Sequence, residues 1–588
     1  MLIVNEHIEW QRRYRILCAV ELVKSINLIK KNNCRIGYCL LCIACVAVFF
    51  LPSLRKGLMM GWDSPFHMAR IESLYRALQS GVFPAKIRPC LNYTYGYGVG
   101  FFYPDLFLYF PAVLMLIGTS LEIAYKSYLL LILITTWFLT FLSVRKLTGN
   151  SLAGAVSGTL LLYAPHFMYE VYYITGIGTY TAMAFIPAAV CGFIMVQKQI
   201  EGGGRYFIIG LIGTLLSHST SFILLAVTLA MMFICSIDQI IKHPKLLLRY
   251  ILYAVIGVLV TTGYWLPALE QIRYQTFKAQ TNHLFKVEDS IVNIADLIPR
   301  ELGWSIAVVL LVSMMIAILN GIIRHYWNRI FITLIAIAAT ENIWMCNEPF
   351  WNTFGKYLEF LQFPDRIGTI TSCLTAIAAG IAVTDLDLLI GDKGTLDTRR
   401  YKTIGIITFI VVCAAYCIHF NADSYWMETE NFANRVLTDE IRGIGSGEEW
   451  LPSTCSSGEL NQPDTALDPG NNGAEGVKID DDKYFDVYLD LSKPYYVMPY
   501  VYYYGYSAYL LDENGNPAKE LRTEKASYNA QLQVDLPDGG TGIAHVLVTY
   551  RKTKLQKTAY VISAVTIVMT IIVYIILATR KCLKMTIK

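Results

Sequence analysis

Charged side chains are scarce in this sequence of 588 residues, because Asp, Glu, Lys and Arg together make up only 16% of it. Soluble globular proteins usually carry about a quarter charged residues. Hydrophobic residues make up 55%, and the mean hydropathy is +0.43. A water-soluble chain cannot hide that much apolar surface in one core, so an ordinary cytosolic enzyme, a disordered protein, collagen and a coiled coil are excluded. The composition predicts a polytopic membrane protein with one soluble module.

Several chemical signatures are missing as well. The 14 cysteines include no CxxC pair and no zinc-ligand spacing, and no set of His, Asp and Glu has the spacing of metal ligands. There is no Walker A loop, which argues against an ATP-driven pump. The net charge of +4 and the lack of a basic block with interleaved aromatic residues give no reason to expect nucleic-acid binding. We therefore expect no nucleic-acid partner, no metal site and no obligatory cofactor.

Long apolar runs are what the sequence does contain. A helix needs about 20 mostly apolar residues to cross a bilayer. The run 206–237 suits one tilted helix or two short helices broken near His218, so the total is 12 or 13 spans. The runs are 36–54, 101–118, 122–145, 151–168, 179–196, 206–237, 249–267, 304–322, 328–345, 368–386, 402–419 and 558–578.

Lys and Arg residues beside the apolar runs set the expected orientation. Residues 1–35 contain seven of them against three acids, so we place the N-terminus in the cytoplasm and interpret the first run as a retained anchor. Loop 55–100 is then outside the cytoplasm. Basic residues flank both sides of the last run, so they do not decide the position of the C-terminus. The resemblance described below favours a cytoplasmic C-terminus and an external module, which requires one span in 206–237.

The composition divides the chain into four parts. A basic cytoplasmic tail (1–35) precedes a multi-span membrane domain (36–419), which contains the external loop 55–100. A soluble, mostly β module (420–557) follows, and residues 558–588 form the final span and a basic tail.

The module shows the alternation and turn residues of short strands. We expect a short helix around 425–442, a mobile loop at 443–479, and strands within 484–491, 495–510, 528–536 and 544–550, the last two joined by Asp538-Gly-Gly540. This pattern predicts a small antiparallel β-sandwich or half-barrel. Its many tyrosines either fill the core or stack on sugar rings.

A helix is predicted in the external loop from about residue 65 to 79, because Pro65 suits a first helical turn and Gly81 follows the end. Asp63, His67 and Arg70 are spaced by four and three residues, which places them on one side of this helix. We expect an amphipathic helix on the outer membrane surface, because an apolar stripe is formed by Ile71, Leu74, Tyr75 and Leu78.

The polar trio suits one kind of chemistry. A carboxylate accepts a proton from an attacking hydroxyl, and a guanidinium holds a phosphate. Together they suit transfer of a group from a phosphate to an alcohol. A helix N-terminus lowers the pKa of a carboxyl, so Asp63 would be a weak base, which suffices for an oxocarbenium-like transition state. The structural alternative is that Asp63 only caps the helix and Arg70 only anchors a lipid headgroup.

Short motifs follow one another along the chain in a recognisable order. They are Trp62-Asp63 with His67 and Arg70, the Gly-Tyr-Gly run before Phe102-Tyr103-Pro104, Leu216-Ser-His218, Trp265-Leu-Pro-Ala-Leu-Glu270, Gln362-Phe-Pro-Asp-Arg366, Gly447-Glu-Glu-Trp-Leu-Pro452 and Tyr503-Tyr-Gly-Tyr506. Over roughly residues 36–578, the chain resembles the bacterial multi-pass proteins labelled "6-pyruvoyl-tetrahydropterin synthase-related" and their YfhO-like relatives. Those families resemble the GT-C class of membrane glycosyltransferases.

The resemblance implies a GT-C-like glycosyltransferase that moves a sugar from a polyprenyl-phosphate donor to an envelope glycan, lipid or protein. It implies a catalytic role for Asp63, because that class has its acidic residue in the first external loop. We expect Arg70 and Arg366 to clamp the phosphate and His67 to orient the reactants. Further substrate contacts are expected from Tyr97, Tyr103, His218 and Glu270.

Each expectation has an alternative. The tyrosines suit an interfacial aromatic belt, His218 suits the cap of a helix break, and Arg366 suits a headgroup anchor. Relatives often have an Arg and an acid where segment 172–180 has neither, and Glu170 lies out of register. This loss favours a non-catalytic envelope scaffold or binding protein on the same fold. A transporter is the third possibility, and it predicts polar groups at mid-membrane, where the sequence offers only His218.

Overall fold

The computed structural model describes residues 36–281, 286–297, 304–390, 429–430, 443–455, 460, 476–477, 484–527 and 529–586. The predicted tail at 1–35 and the predicted span at 402–419 lie outside these residues. Most of the predicted helix at 425–442 also lies outside them, and the part that is described, Thr429–Glu430, is a short strand.

The described part is mostly helical, and its long apolar helices are those of a multi-pass membrane protein. Two helix pairs, Lys245–Val260 with Thr262–Tyr274 and Arg329–Met345 with Glu348–Tyr357, are apolar enough together but bend by 68° and 69°. The described residues therefore offer six to eight candidate spans, and the predicted total of 12 is not confirmed. The six long helices are Ile36–Leu54, Leu121–Thr148, Ile177–Gln197, Ala307–Arg324, Pro364–Leu389 and Lys554–Leu577.

The run 206–237 forms two short helices with a break at residues 216–218, which is one of the two forms that the sequence predicted. His218 is extended, with φ −154° and ψ 118°. The hydroxyl of Ser217 donates to the carbonyl of Gly213 at 2.6 Å, which satisfies an acceptor that the ending helix leaves open. Runs 101–118 and 151–168 also form only shorter helices. The orientation that relied on one span here stays a prediction.

In chain order the helices are α1 (Ile36–Leu54), α2 (Ser64–Gln79), α3 (Val99–Phe102), α4 (Tyr109–Leu116), α5 (Leu121–Thr148), α6 (Ser151–Leu162), α7 (Pro165–Tyr169), α8 (Ile177–Gln197), α9 (Gly203–Leu215), α10 (Ser219–Cys235), α11 (Ile237–Lys242), α12 (Lys245–Val260), α13 (Thr262–Tyr274), α14 (Ile294–Asp296), α15 (Trp304–Arg324), α16 (Arg329–Met345), α17 (Glu348–Phe354), α18 (Gly368–Ile390) and α19 (Lys554–Thr586). A π-helix, Glu170–Ile174, links α7 to α8.

Helices α8 and α18 form the centre of the helical body, and 94% of the apolar window of each is buried. Both are rich in Gly, Ala, Ser and Thr, whose small side chains let neighbouring helices approach closely. Helix α5 packs against α6 and α8, and α18 packs against α6, α15 and α16. In contrast, no residue in the apolar window of α19 is buried. The buried centre of the helical body is therefore formed by α8 and α18 and not by α19.

The C-terminal region contains the small antiparallel sheet module. Strands β3, β4, β10, β6 and β7 form one sheet in that order, and β5, β9 and β8 form the other. Asp538-Gly-Gly540 joins β9 to β10 as predicted, and these two strands belong to different sheets, since β10 pairs with β4 and β6. The strands are β1 (Leu58–Met59), β2 (Thr429–Glu430), β3 (Gly476–Val477), β4 (Tyr484–Asp490), β5 (Tyr495–Val501), β6 (Tyr506–Leu511), β7 (Pro517–Leu521), β8 (Thr523–Lys525), β9 (Gln531–Asp535) and β10 (Ile543–Tyr550).

The sheets dock tightly on the membrane body. The side-chain amide of Gln271 on α13 donates to the carbonyl of Tyr504 at 2.7 Å and accepts from the N–H of Tyr504 at 3.0 Å. The rings of Tyr274 and Tyr504 stack with centroids 3.5 Å apart. The N–H of Val501 also donates to the carbonyl of Tyr95 in the first loop at 2.7 Å. These contacts fix the sheets against loop 55–100.

Candidate functional site

Asp63 stands at the N-cap of α2, and its side chain makes no capping hydrogen bond. Its N–H donates to the carbonyl of Ile174 at 2.8 Å, and the hydroxyl oxygens of Ser64 and Thr175 lie 2.7 Å apart. A Cβ on Gly61 would collide with Thr175, so only glycine permits this approach. The loop before α2 is thus fixed on the end of the π-helix, with the Asp63 side chain exposed.

The pKa of Asp63 is raised by partial desolvation, and the Arg366 guanidinium lowers it to a smaller extent. The sequence predicts the opposite net direction from the helix N-terminus. In the structure, the effect of partial desolvation on the pKa of Asp63 is larger than the opposing effect of the Arg366 charge. Asp63 is therefore a stronger base than a solvated carboxylate.

Arg366 lies in a 3₁₀-helix, Pro364–Ile367, immediately before α18. Its side chain is half-buried, and its guanidinium lies 5.4 Å from the centroid of the Phe363 ring. The charge of Arg366 lowers the pKa of three carboxyls, those of Asp63, Glu170 and Glu449. This guanidinium is therefore close to acidic groups from three distant parts of the chain.

Glu170 is the acidic residue that the sequence places out of register. It begins the π-helix, whose wider turn accommodates one more residue than an α-helical turn and so shifts the register. Only 7% of Glu170 is exposed, and its Oε2 atom has no hydrogen-bond partner. Burial raises the pKa of Glu170 to about 7, which the charges of nearby His166 and Arg366 only partly oppose. A buried carboxyl with a raised pKa therefore lies within electrostatic reach of Arg366, which spacing along the sequence could not identify.

Segment 172–180 lacks charged side chains, but its glycines make room for polar groups from other segments. A Cβ on Gly176 would collide with the Glu170 carboxylate. A Cβ on Gly178 would collide with the Tyr103 hydroxyl and lie 3.0 Å from Cδ2 of His218. The backbone of this segment thus lies against the side chains of Glu170, Tyr103 and His218, which come from other parts of the chain.

Arg70 and His67 lie behind the site, inside the protein. The Arg70 guanidinium donates to Asp105 at 2.7 Å and to the carbonyl of Pro104 at 3.0 Å, and one of its nitrogens lies 3.2 Å from Nδ1 of His67. Both side chains are 1% exposed. Helix α2 is therefore buried along most of its length, so the prediction that it lies on the outer membrane surface is wrong. It is buried because α4 packs on it and Arg70 finds an internal carboxylate.

Tyr103 and His218 connect this buried layer to the site. The Arg70 guanidinium lies 3.9 Å from the centroid of the Tyr103 ring, and the rings of Tyr103 and His218 are 5.7 Å apart. His218 Nδ1 is 2.9 Å from the Ser221 hydroxyl, as expected for a side chain at a helix break. Tyr103 lies within electrostatic reach of Asp63 and Arg366, and His218 within reach of Arg366, while Arg70 contacts both His67 and the Tyr103 ring.

Tyr97 and Glu270 lie apart from these residues. The Tyr97 ring is buried, and its hydroxyl accepts a hydrogen bond from the N–H of Trp450 at 3.3 Å. Glu270 accepts hydrogen bonds from Thr553 at 2.8 and 2.9 Å and from Gln556 at 2.8 Å. These contacts hold the C-terminal sheets and α19 against the body, and the substrate contacts expected of both residues stay predictions.

Glu449 is a residue of the site that sequence reasoning missed, although its motif, Gly447-Glu-Glu-Trp-Leu-Pro452, is visible. Burial raises the pKa of Glu449, the Asp63 carboxylate raises it further, and Arg366 lowers it. The segment 443–455 was expected to be part of a mobile loop, yet it packs against Phe102, whose ring stacks on Trp450 at 4.9 Å. Long-range contacts of this kind leave no signal in local spacing.

No group of three or more His, Cys, Asp and Glu side chains within the described ranges has the arrangement of a metal site. The carboxylates of Asp63, Glu170 and Glu449 all lie within electrostatic reach of the Arg366 guanidinium. The expectation that no metal is required stays a prediction.

Comparison with known proteins gives one family match. The model of a family described as "Family of unknown function (DUF6541)" matches residues 34–359, which is more than half of the chain. The two family names to which the sequence was likened are not confirmed by this match. No curated protein sequence matches.

Several solved structures are similar at low sequence identity. The oligosaccharyltransferase of Archaeoglobus fulgidus is 11% identical over 67% of this chain and 56% of its own length, with a TM-score of 0.42. ArnT from Cupriavidus metallidurans is 14% identical over 71% of this chain and 78% of its own, with a TM-score of 0.44. The arabinosyltransferase EmbB from Mycobacterium smegmatis is 10% identical over 87% of this chain and 63% of its own, with a TM-score of 0.34. The chain thus spans little more than half of the oligosaccharyltransferase.

Proposed function

We propose that this chain, which belongs to the DUF6541 family of unknown function, is a membrane glycosyltransferase that moves a sugar from a polyprenyl-phosphate donor to a hydroxyl of a cell-envelope acceptor. One observation carries the proposal. An exposed carboxylate with a raised pKa, Asp63, lies within electrostatic reach of a half-buried guanidinium, Arg366. A base beside a phosphate-binding cation is what transfer from a phosphate to an alcohol requires.

The reaction balances with these two groups. The acceptor hydroxyl gives its proton to the Asp63 carboxylate as its oxygen bonds to the anomeric carbon of the donor sugar. The bond from that carbon to the phosphate oxygen breaks, and the electron pair leaves with the lipid phosphate. Arg366 stabilises the negative charge that develops on the leaving oxygen. The transition state is oxocarbenium-like, so the hydroxyl proton becomes acidic late and a carboxylate suffices as base.

Glu170 makes the site compatible with an anionic donor. Its carboxyl, with a pKa raised to about 7, is protonated in about half of the molecules near neutral pH. A protonated carboxyl adds no negative charge and donates a hydrogen bond. We assign it a contact to a phosphate oxygen of the donor, because its Oε2 atom is buried and has no partner in the protein.

Arg70 and His67 act as positioning residues in this proposal. Their hydrogen bonds within the protein leave the donor phosphate to Arg366 and fix the Tyr103 ring at the floor of the site. We expect catalysis without a metal, because the charge on the leaving phosphate has a guanidinium partner. The N- and C-termini are placed in the cytoplasm, and Asp63 and the β module outside it.

The test is Asp63→Asn in cells, with envelope glycans profiled by mass spectrometry. We expect this variant to reproduce the altered profile of a strain that lacks the whole gene, because asparagine keeps the shape of the side chain and removes the base. Asp512→Asn, in an exposed turn between β6 and β7, is the matched control and should leave the profile normal. A normal profile with Asp63→Asn, where the deletion strain is altered, contradicts the proposal.

A non-catalytic envelope binding protein is the second candidate. The observation that favours it is the exposure of the Asp63 side chain to solvent. It predicts the normal profile just described. One observation also favours a transporter. Glu341 on α16 is a buried ionisable residue and accepts a hydrogen bond from the Thr228 hydroxyl at 2.6 Å. Glu341→Gln should then abolish uptake while Asp63→Asn leaves it intact.

A further inference from the structure

Lys86 carries a buried ammonium group in loop 55–100. Its side chain is buried, and its Nζ atom donates to the carbonyl of Gly100 at 3.0 Å. Asp105, whose charge acts on Lys86, is already shared by two guanidinium groups. The pKa of Lys86 is lowered to about 8, mainly by burial and less by the charges of Arg88 and Lys552. A buried cation is thus left without a carboxylate of its own, which is unfavourable.

A second ammonium group, that of Lys552, lies beside the same tyrosine ring as Lys86. The Nζ atoms of Lys86 and Lys552 are 6.0 Å and 5.8 Å from the centroid of the Tyr560 ring. Lys552 donates to the carbonyl of Phe83 at 2.5 Å, but a carbonyl does not neutralise its charge. Within the described ranges, neither lysine forms an ion pair with a carboxylate. Two cations therefore meet at one ring without an anion to balance them.

The Tyr560 ring is fixed in place. It packs on Gly263 of α13, where an added Cβ would lie 2.9 Å from its Cδ1 atom. Its hydroxyl is buried and has no hydrogen-bond partner in the described part of the chain. The carboxylate of Glu270, also on α13, acts on Tyr560, but it accepts its hydrogen bonds from Thr553 and Gln556. An unsatisfied donor thus accompanies the two ammonium groups.

These groups lie at the start of a candidate membrane span. Helix α19 begins at Lys554, two residues after Lys552, and its apolar stretch extends to Leu577. Tyr560 lies in the second turn of this helix, roughly 9 Å along its axis at about 1.5 Å per residue. Lys and Tyr side chains are typical of this level of a membrane protein, where lipid headgroups lie. The anion available there is a lipid phosphate.

We propose that Lys86, Lys552 and Tyr560 bind the phosphate group of an anionic phospholipid, which fastens α19 to loop 55–100. This inference goes beyond the proposed function and does not depend on it. Ammonium groups bind phosphate oxygens as point charges, and a phenol donates a hydrogen bond to them. The phosphate supplies the negative charge that the protein does not provide. A zwitterionic lipid fits less well, because its own cation already balances its phosphate.

The experiment measures lipid binding to the purified full-length protein. Native mass spectrometry in detergent follows the first bound lipid during titration with dioleoyl phosphatidylglycerol and, separately, with dioleoyl phosphatidylcholine. We expect phosphatidylglycerol to bind more tightly by roughly fivefold or more, because one lysine at a lipid surface contributes about that factor. Its affinity should fall by a similar factor in Lys552→Gln, and by a smaller one in Tyr560→Phe, which removes only a hydroxyl.

Two control variants lie on the same helix. Lys554→Gln removes an exposed lysine at the start of α19. Tyr574→Phe removes the hydroxyl of a tyrosine further along the helix, which accepts from Arg205 at 2.7 Å. Both should bind phosphatidylglycerol as the natural protein does. Lys86→Met tests the buried ammonium group, and if it does not fold, the double variant Lys552→Gln with Tyr560→Phe decides.

Equal affinities for the two lipids would overturn the inference, as would an unchanged affinity in the double variant. Excess inorganic phosphate should not displace the lipid, because it lacks acyl chains that lie along an apolar helix. Displacement would assign the site to free phosphate and would overturn the inference. Tighter binding of a polyprenyl phosphate than of phosphatidylglycerol would assign the site to the sugar carrier, with the same consequence. A normal glycan profile with Asp63→Asn contradicts only the proposed function.

Discussion

The backbone N–H of Asp63 donates a 2.8 Å hydrogen bond to the carbonyl oxygen of Ile174, the last residue of the π-helix. This bond ties the loop before α2 to the element that begins with Glu170. Asp63 and Glu170 are therefore held in one rigid unit, although 107 positions separate them in the sequence. A substitution in the loop before α2 or in the π-helix should therefore change the positions of both the Asp63 and the Glu170 carboxyl groups.

Arg366→Lys should weaken the use of the donor. Lysine keeps the charge but loses the planar, two-pronged contact to a phosphate, so we expect the KM for a polyprenyl-phosphate sugar to rise by roughly tenfold or more. A membrane assay with a radiolabelled donor measures this. Arg324→Lys, at the far end of α15, is the matched control and should leave the KM unchanged. Equal KM values for the Arg366 variant and the natural protein would argue against a phosphate role.

Glu170→Gln should change how stability depends on pH. The pKa of Glu170 is raised to about 7 from an ordinary 4.5, so the folded protein holds a proton that the unfolded chain releases. The protonated Glu170 carboxyl makes its full contribution to the free energy of unfolding below about pH 4.5, and this contribution is lost as the pH rises through 7. At pH 8 the glutamine variant should be more stable than the natural protein by up to about 3 kcal/mol, from the size of the shift.

Thermal unfolding in detergent between pH 5 and 8.5 measures this difference. Glu520→Gln, on the exposed strand β7, should follow the natural protein at every pH. If the melting temperature of Glu170→Gln falls with rising pH as steeply as that of the natural protein, the buried carboxyl is not the group that titrates.

Gly176→Ala should damage the site by crowding. The added Cβ would collide with the Glu170 carboxylate, which has no room to retreat because it is buried. Overpacking of this kind costs about 1–3 kcal/mol. The double variant with Glu170→Ala should recover part of that loss, which a double-mutant cycle reveals. Gly37→Ala, where no atom lies within 4 Å of the new Cβ, is the control. Strict additivity of the two changes would mean that the contact is absent.

Asp105→Asn should be strongly destabilising. One carboxylate pairs with two buried guanidinium groups, those of Arg70 at 2.7 Å and Arg88 at 2.6 Å. Removing its charge leaves two buried cations without a carboxylate to neutralise them, which costs about 3–5 kcal/mol or prevents folding. Asp238→Asn breaks the exposed pair with Arg329 and should change little. The amount of folded protein after extraction and its melting temperature report the difference. Equal stability of the two variants would contradict the argument.

The sequence alone determined the class of the molecule and several local elements. Apolar runs and sparse charge identified a multi-pass membrane protein because the bilayer imposes a length and polarity that composition reveals. Pro65 and the spacing from Asp63 to Arg70 located α2 within one residue, since helix starts have local rules. Alternation located the strands β4, β9 and β10 for the same reason.

Tertiary structure decided which side chains meet. The sequence predicted that Arg70 binds the donor phosphate. In the structure Arg70 instead forms a buried ion pair with Asp105, which lies 35 positions later in the chain. Glu170 was discounted by spacing, because a π-helix changes the number of residues per turn. Glu449 comes close to Asp63 only because aromatic stacking docks its segment on Phe102. Local patterns encode helices and strands, whereas contacts between distant segments depend on packing, which a single sequence does not display.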